Sequence, residues 1–542
     1  MSKFLRYLYL FPIIIVCFFY SVDKGVLQSA VDGGLILGGF VNFPENFTNI
    51  TSSNQNVYST LIYFSLILLK LNFSVDTISI IFVFIILLFY TLGIFYLTLG
   101  ITKSKNLALL LSLITIIFRE NFGLVDYEVN FFSEHTYGNF STSAFTLIIG
   151  LLANKSFRVA GLIIGILLSS HLFVGIWVLA ILIAIYLIDL FFLSQKDKIN
   201  SVAFREIIFG FSIWLVPMII SLIFYFNNTI ENSFYILDDF YTYMKFWDYH
   251  RNIFSINYDY VLKTLILIIL VLIYAYFFGQ KENLILILFI LLTCVGSFFV
   301  YIFFKIVPNQ YIPQFLINSM PTRVFSLHSV LGYPLIISIL FLIFKKLNFK
   351  VVQNLQKFKY IFILVLIVPI LILPLITNNF FVKAESLYVK KIEPRYIKFI
   401  NALSFKKMND EDLFWKKIKQ IDSSGYYVTS FHSSSPTLRR GKKPYILNSS
   451  YIDSIPYFPY QVTEFRLIIE NIYGISFINP PKLYTAALYD EWFKETFEKR
   501  SIDEWNEIAD KYNLSGVIVP SNWNLLIKNK IVSQKFTAYL IN

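Results

Sequence analysis

Long apolar runs recur through roughly the first 380 residues of this chain and constrain its fold more than any other feature. The hydrocarbon core of a bilayer is ~30 Å thick, so a straight helix needs roughly 20 apolar residues to cross it. Hydrophobic residues make up 56% of the chain and charged residues 15%, whereas soluble domains carry roughly 25% charged residues. Such a surplus of apolar side chains cannot be hidden in soluble domains of ordinary size. The sequence therefore predicts an α-helical polytopic membrane protein.

The apolar runs predict about eleven transmembrane helices. Several runs are shorter than a straight span requires, so their assignment depends on charge as well as on length. The predicted spans lie near residues 4–22, 77–101, 104–118, 142–154, 157–171, 172–193, 206–226, 259–279, 283–304, 326–345 and 359–378.

The distribution of Lys and Arg gives these spans a direction. Basic residues cluster in alternate connections, and the positive-inside rule makes those connections cytoplasmic. We therefore expect a multi-pass protein of the bacterial inner membrane, with a cytoplasmic N-terminus and a periplasmic C-terminal region. The first apolar run lacks a small-x-small cleavage site and is interpreted as a retained helix. The basic residues that set this orientation include Lys103, Lys105, Lys155, Arg158, Lys196, Lys198, Arg205, Lys281, Lys345 and Lys346.

One apolar segment, residues 58–71, does not fit this alternation. Counting it as a span would place the later Lys-rich loops outside. We interpret it as an interface helix on the outer leaflet, with Lys70 reaching the lipid head groups.

The composition changes near residue 380, where charged residues become dense and apolar runs become short. Strand-like runs at 426–431, 443–448, 516–521 and 536–542 alternate with helical patterns at 461–472, 484–499 and 501–512. The last helical pattern begins with Ser501 and Glu504, the spacing of a capping box. Residues 380–542 are therefore predicted to form a periplasmic α/β domain.

Several function classes are disfavoured by the sequence. It contains no phosphate-binding loop, no dinucleotide fingerprint, no H-E-x-x-H and no G-x-S-x-G motif. Its two cysteines, Cys17 and Cys294, lie in apolar runs and offer neither a disulfide framework nor a thiolate metal site. The formal net charge of +12 follows from the basic cytoplasmic loops, so nucleic acid is not an expected partner, whereas membrane lipid is.

The first outer loop contains the leading candidate for chemistry, Asp32, which is followed by Gly33 and Gly34. A carboxylate at the membrane edge could deprotonate an acceptor hydroxyl or hold a divalent metal. The glycines would allow close approach of a ligand or an unusual backbone angle. The alternative is that Asp32 caps a turn or a helix at the interface. Glu45 lies farther along the same loop and is a second candidate for binding.

The other outer loops supply further candidates for binding a donor or an acceptor. Glu134 and His135 could contact a phosphate or a cation, or form part of a solvated loop face. The acidic pair Asp238 and Asp239, near aromatic residues, suits sugar binding, and the same loop contains His250 and Arg251. Finally, Arg323 could hold a lipid phosphate or anchor the chain at the interface. All seven residues are read from the printed sequence.

The layout of the first 170 or so residues resembles the GT-C superfamily of membrane glycosyltransferases, as in protein O-mannosyltransferases and aminoarabinose transferases. Helix one is followed by a long outer loop with Asp32, then by an interface helix (YSTLIYFSLILLKLNFS), a short basic turn (TKSKN) and a loop ending in EHTYGN. The resemblance implies a GT-C-like transmembrane domain over residues 1–379. The sequence lacks an adjacent second acid at Asp32 and the W-W-D motif of oligosaccharyltransferases.

An active member of this superfamily would transfer a sugar from a polyprenyl-phosphate donor to a glycan, lipid or protein acceptor. By this resemblance, Asp32 would be the base that activates the acceptor hydroxyl. Two other classes remain open. A transporter or flippase would place ionisable residues at mid-membrane and show two similar halves, and neither is evident in the sequence. A non-catalytic scaffold of the envelope that binds glycan is the third class.

Overall fold

The computed structural model describes most of the chain, and the account below is limited to that part. The described residues are 10–23, 28–44, 59–117, 137–193, 199, 201–227, 237–248, 258–279, 283–308, 311–312, 316, 327–346, 410–421, 424–447, 452, 455, 459–482 and 488–541.

The described apolar segments are helical, and most of their helices lie where the apolar runs predict them; the helices over Gln28–Leu37 and Leu237–Phe246 were not predicted. The predicted span at 359–378 is outside the described residues. In chain order the helices are α1 (Phe11–Asp23), α2 (Gln28–Leu37), α3 (Thr60–Lys70), α4 (Val75–Thr102), α5 (Lys105–Ile117), α6 (Tyr137–Ala153), α7 (Phe157–Ser170), α8 (Leu172–Phe191), α9 (Ser201–Ile213), α10 (Leu215–Asn227), α11 (Leu237–Phe246), α12 (Tyr258–Phe278), α13 (Leu284–Ile306) and α14 (Leu327–Lys346).

Three of the described helices, α4, α8 and α13, are long and apolar enough to cross a membrane. The predicted count of about eleven spans is therefore not supported. For the shorter helices the physical reason is length: α7, for example, has 14 residues, and at 1.5 Å per residue it extends about 21 Å, less than the ~30 Å hydrocarbon core. Many large apolar side chains on α8, α12 and α13 are nevertheless exposed, including Ile183, Leu265 and Phe299. Water is a poor solvent for such surfaces, which suits a lipid environment.

The core of the apolar part is built on close contact between α4 and α6. A β-carbon added at Gly93 would lie 2.6 Å from the carbonyl carbon of Thr146, and one added at Gly100 would lie 2.3 Å from the carbonyl oxygen of Ala153. Small residues allow the two backbones to approach this closely, and dispersion then holds the helices together. Thus α4 and α6 form a tightly packed pair to which the neighbouring helices attach.

The predicted span at 206–226 is two helices and not one. α9 ends at Ile213 and α10 begins at Leu215, with Trp214 between them. Pro217 lies one turn after the break, and proline lacks the N–H that would bond to the carbonyl of Ile213. The indole N–H of Trp214 donates to Ser169 Oγ over 2.8 Å, which ties the break to the end of α7.

The predicted interface segment at 58–71 forms α3, whose N-cap is Ser59. Leu61, Ser65 and Leu68 are buried on one face, while Phe64 and Ile67 are exposed on another. The helix has only 11 residues and is too short to cross the hydrocarbon core. Its placement in the leaflet interface stays a prediction.

The C-terminal part combines helices with a small mixed sheet. Its elements are α15 (Asp410–Gln420), β1 (Tyr426–Thr429), α16 (Phe431–Arg439), α17 (Val462–Ile468, continued by a π turn over Ile469–Tyr473), α18 (Lys494–Lys499), α19 (Ile502–Tyr512), β2 (Leu514–Pro520), β3 (Lys530–Val532) and β4 (Phe536–Leu540).

The four strands of this sheet have the order β1-β2-β4-β3. β1 pairs with β2 in parallel, whereas β4 runs antiparallel to both β2 and β3. The predicted strand at 443–448 is reduced to an isolated bridge between Tyr445 and Tyr427. The predicted capping box is confirmed: Ser501 Oγ accepts from the backbone N–H of Glu504, and the Glu504 carboxylate accepts from the N–H of Ser501.

Candidate functional site

Asp32 lies within helix α2, which packs against helix α3. The interpretation of Asp32 as a cap was wrong, because it lies in the middle of the helix. Its two following glycines face α3: a β-carbon at Gly34 would lie 1.9 Å from Ser65 Oγ, and one at Gly33 would lie 3.0 Å from Ile62 Cδ1. The close approach that these glycines allow is therefore between two helices and not between the chain and a ligand.

The partner of Asp32 comes from the other end of the chain, on helix α16. This helix follows β1 directly, and Ser430 caps it through a reciprocal pair of hydrogen bonds with Ser433. The helix ends at Arg439, where the helix dipole favours a positive charge. A tight turn follows at Gly441, because a β-carbon there would lie 2.7 Å from the carbonyl oxygen of Thr437.

Asp32 and Arg439 form a buried ion pair. Arg439 Nε donates to Asp32 Oδ1 over 2.7 Å, and the two side chains are 7% and 2% exposed. Burial raises the pKa of Asp32 because the charged form loses its hydration, and the Arg439 guanidinium opposes that rise. Arg439 Nη2 is also buried and has no hydrogen-bond partner among the described residues. The guanidinium is thus only partly satisfied by the carboxylate.

A second cation, Lys442, lies close enough to act electrostatically on both members of the pair. Burial lowers the pKa of Lys442 to about 8, and the positive charges of Lys419 and Arg439 act in the same direction, against the attraction of Asp32. Its backbone has a positive φ of 54°, a conformation that costs free energy for a residue with a β-carbon. The turn after α16 therefore holds Lys442 in a strained backbone conformation, from which its charge acts on Asp32.

The neighbouring basic residues have partners elsewhere. Arg440 pairs with Glu411 and Asp412 at the start of α15. Lys443 donates to the carbonyl oxygen of Ile421. The positive charge facing Asp32 therefore comes from Arg439 and Lys442.

A second contact joins the apolar helices to the C-terminal part through α11. Asp239 on α11 accepts from Arg466 Nη1 on α17 over 2.9 Å. Tyr243 donates its hydroxyl hydrogen to the carbonyl oxygen of Ile452 over 2.6 Å. Trp247 donates its indole N–H to the carbonyl oxygen of Phe477 over 2.8 Å. Three directed interactions within ten residues make α11 an anchor for the C-terminal part.

The aromatic residues at this second contact are used in packing. The Trp247 ring is fully buried and lies edge-on to Phe465, with centroids 5.1 Å apart, and roughly parallel to Phe477 at 6.3 Å. The stacking of a sugar requires an accessible ring face, and Trp247 offers none in this structure. Its role here is to hold α11 against α17.

Only three of the predicted site residues lie within the described part of the chain. Asp32 and Asp239 each contact the C-terminal part, through different helices, while Asp238 is exposed on α11. The other predicted residues, Glu45, Glu134, His135, His250, Arg251 and Arg323, lie outside the described residues.

The described residues do not suit a divalent metal at Asp32. No group of three or more His, Cys, Asp and Glu side chains converges among the residues searched. Two cations also face Asp32, and they would repel a metal ion. The surroundings of Asp32 favour an anion instead.

Sequence reasoning missed Arg439 and Lys442. The available signal was the run Arg439-Arg-Gly-Lys-Lys443, four basic residues in five positions. Such a density of positive charge favours an anionic partner. The identity of that partner, Asp32, was hidden by a separation of 407 residues.

Comparison of the chain with protein-family models and with curated protein sequences gives no match.

Proposed function

We propose that this chain is a membrane glycosyltransferase of the GT-C type, which transfers a sugar from a polyprenyl-phosphate donor to a glycan, lipid or protein acceptor. The observation that carries the proposal is the junction of Asp32, Arg439 and Lys442 between helix α2 and helix α16. A carboxylate able to take a proton is paired with Arg439, and the charge of Lys442 also acts on it, so two cations are available to balance a phosphate. Glycosyl transfer from a lipid phosphate needs both kinds of group.

Each group has a defined part in the proposed reaction. The Asp32 carboxylate takes the proton of the acceptor hydroxyl while the acceptor oxygen bonds to the anomeric carbon. The bond from that carbon to the phosphate oxygen breaks, and its electron pair leaves with the phosphate. Arg439 and Lys442 compensate the negative charge that develops there. Burial of the Asp32 carboxyl raises its pKa, which makes the carboxylate a stronger base than an exposed aspartate.

The proposed location is the outer face of a bacterial inner membrane, with the C-terminal part outside. Two segments that the Lys/Arg asymmetry assigns to the outer face, α2 and α11, both contact the C-terminal part. Segments that touch outside the bilayer must lie on one side of it, so these contacts support a common side for α2, α11 and the C-terminal part, as the proposed orientation requires. In this arrangement several shorter apolar helices join the three long ones in the membrane.

The test is transfer activity in membranes that contain the full-length protein, supplied with a panel of polyprenyl-phosphate-linked sugars. Asp32→Asn should reduce transfer by roughly 10²-fold or more, the usual contribution of a general base. Asp239→Asn is the matched control, because it removes the acid from the other ion pair with the C-terminal part. Full activity in Asp32→Asn, or no transfer by the wild type from any donor in the panel, would contradict the proposal.

A non-catalytic envelope scaffold is the second candidate, and one specific observation favours it. Asp32 is only 1% exposed, so in this structure it serves to join two parts of the chain. A scaffold would bind glycan without turnover, and Asp32→Asn would then leave glycan binding by the full-length protein intact if the fold is retained. Glycan-affinity chromatography beside the transfer assay separates the two candidates.

A further inference from the structure

The charges at the Asp32 junction do not balance. Asp32 is acted on by Arg439 and Lys442, and Lys442 is in turn repelled by Lys419 and Arg439. Lys419 is exposed to solvent, so among the described residues one buried carboxylate is opposed by two buried or half-buried cations, Arg439 and Lys442. Buried or half-buried positive charge without a counter-charge is costly. The junction therefore has the composition of an anion site that its own carboxylate fills only in part.

The hydrogen-bonding capacity of Arg439 leads to the same conclusion. A guanidinium has five N–H donors in a planar fork that matches the oxygens of a phosphate. Nε binds Asp32 Oδ1, while Nη2 is buried and without a partner among the described residues. A side chain that is 7% exposed cannot satisfy Nη2 from bulk water. Among the described residues this donor is therefore available for a further acceptor.

We propose that Arg439 and Lys442 bind the phosphate group of a mono- or diester, and that Asp32 is the internal competitor for that site. Binding of the phosphate draws Arg439 away from Asp32. The carboxylate is paired while the site is empty and is released when a phosphate takes its place. The use of this exchange in catalysis rests on the proposed function, because the exchange would free the base only when a donor is bound. The competition between Asp32 and phosphate for Arg439 does not depend on the proposed function.

Competition has a consequence that a simple structural ion pair lacks. Two groups that compete for one site lower each other's affinity by the same factor. Neutralising Asp32 should therefore increase the affinity for phosphate, although it removes an interaction from the folded protein. Loss of structure would act in the opposite direction, so damage to the fold cannot imitate this result.

The experiment measures binding to the full-length protein in detergent by isothermal titration calorimetry. One arm uses inorganic phosphate and the other uses decyl phosphate in the same micelles, so that a free anion and a lipid head group are distinguished. Asp32→Asn should bind at least about tenfold more tightly than the wild type in one or both arms, within the usual range of coupling between sites. Arg439→Gln should lose binding, and Lys442→Gln should weaken it.

Two matched controls complete the design. Asp239→Asn neutralises the acid of the other ion pair, and Arg440→Gln removes the adjacent arginine, which Glu411 and Asp412 already hold. Both should bind phosphate as the wild type does. Equal or weaker binding by Asp32→Asn, or no binding by any variant in either arm, would overturn the proposal. Because no turnover is measured, a failed transfer assay leaves this result interpretable.

Discussion

Replacing Arg439 by Met should destabilise the folded protein in a way that depends on pH. Arg439 is the hydrogen-bonded partner of Asp32, and both side chains are more than nine-tenths buried. Removing one member of a buried ion pair typically costs ~3–5 kcal/mol, because the other charge is left without compensation. Asp32, left without its partner, can reduce that cost by taking up a proton and becoming neutral. Arg439, left without Asp32, has no such route, because an arginine does not lose its proton in proteins.

The sign of the pH dependence follows from the pKa of Asp32. In the unfolded chain this carboxyl has a pKa of ~3.9. In the folded Arg439→Met variant it is higher, because burial raises it and the guanidinium that opposed the rise is gone. Between these two values the unfolded chain binds fewer protons, so stability falls as pH rises. The loss is about 1.4 kcal/mol for each pH unit in that interval. Asp32→Asn instead leaves Arg439 charged at every accessible pH, so Arg439 adds no pH dependence to the cost of this substitution.

The assay is reversible unfolding of the full-length protein in mixed micelles at pH 5 and pH 8, with the Asp32→Asn/Arg439→Met double variant as the reference. Arg439→Met, compared with the reference, should lose more stability at pH 8 than at pH 5, by about 1.4 kcal/mol for each pH unit in this window that lies below the folded-state pKa of Asp32. Asp32→Asn should not lose more stability at pH 8 than at pH 5, because Lys442, without the attraction of Asp32, sheds its proton as pH rises. A cost of Arg439→Met that is small and equal at both pH values would refute the buried pairing. So would additivity of the two single substitutions.

Three further predictions concern other parts of the chain. Glu464 has a buried Oε1 without a partner in the described region, and burial raises its pKa to about 8. Stability should therefore fall as pH rises from ~4.3, the pKa of an exposed glutamate, to about 8, and Glu464→Gln should flatten that profile in thermal melts. Trp247→Phe should weaken the contact between α11 and α17 by about 1–3 kcal/mol, since the carbonyl of Phe477 loses its donor, and limited proteolysis should show the C-terminal part more easily cleaved. Gly100→Ala should destabilise the folded protein by roughly 1–3 kcal/mol, because the added β-carbon clashes with Ala153. Gly296→Ala should not, because the space around Gly296 is open. Equal melting temperatures for these two variants would contradict this packing.

The positions of the helices could be predicted because each apolar run is continuous in sequence and its chemistry is local. The capping box at Ser501 and Glu504 was predictable for the same reason, since both partners lie within one turn. The break at Trp214 was missed because the run from 206 to 226 is apolar throughout, and the effect of Pro217 on backbone hydrogen bonding outweighs its apolar character.

The acidic residues of the candidate site could be predicted from the sequence, but their basic partners could not. Asp32 stood out because a carboxylate near a membrane edge is costly. Its glycines were misinterpreted as room for a ligand because the neighbouring helix α3 cannot be placed from local pattern. Likewise, Asp239 was recognised, but its partner Arg466 lies 227 residues away. Pairings of this kind depend on tertiary structure, which a single sequence does not reveal.

The separation of Asp32 from Arg439 also sets an order of events in time. The two residues are 407 positions apart, and chains are synthesised at ~5–20 residues per second. The synthesis of Arg439 therefore follows that of Asp32 by about 20–80 s. Throughout that interval α2 cannot bury the carboxylate as an ion pair, so the carboxylate must stay hydrated or protonated. Closure of this junction is consequently among the last steps in assembly, and a chain truncated before Arg439 would keep an unpaired acid at its membrane edge.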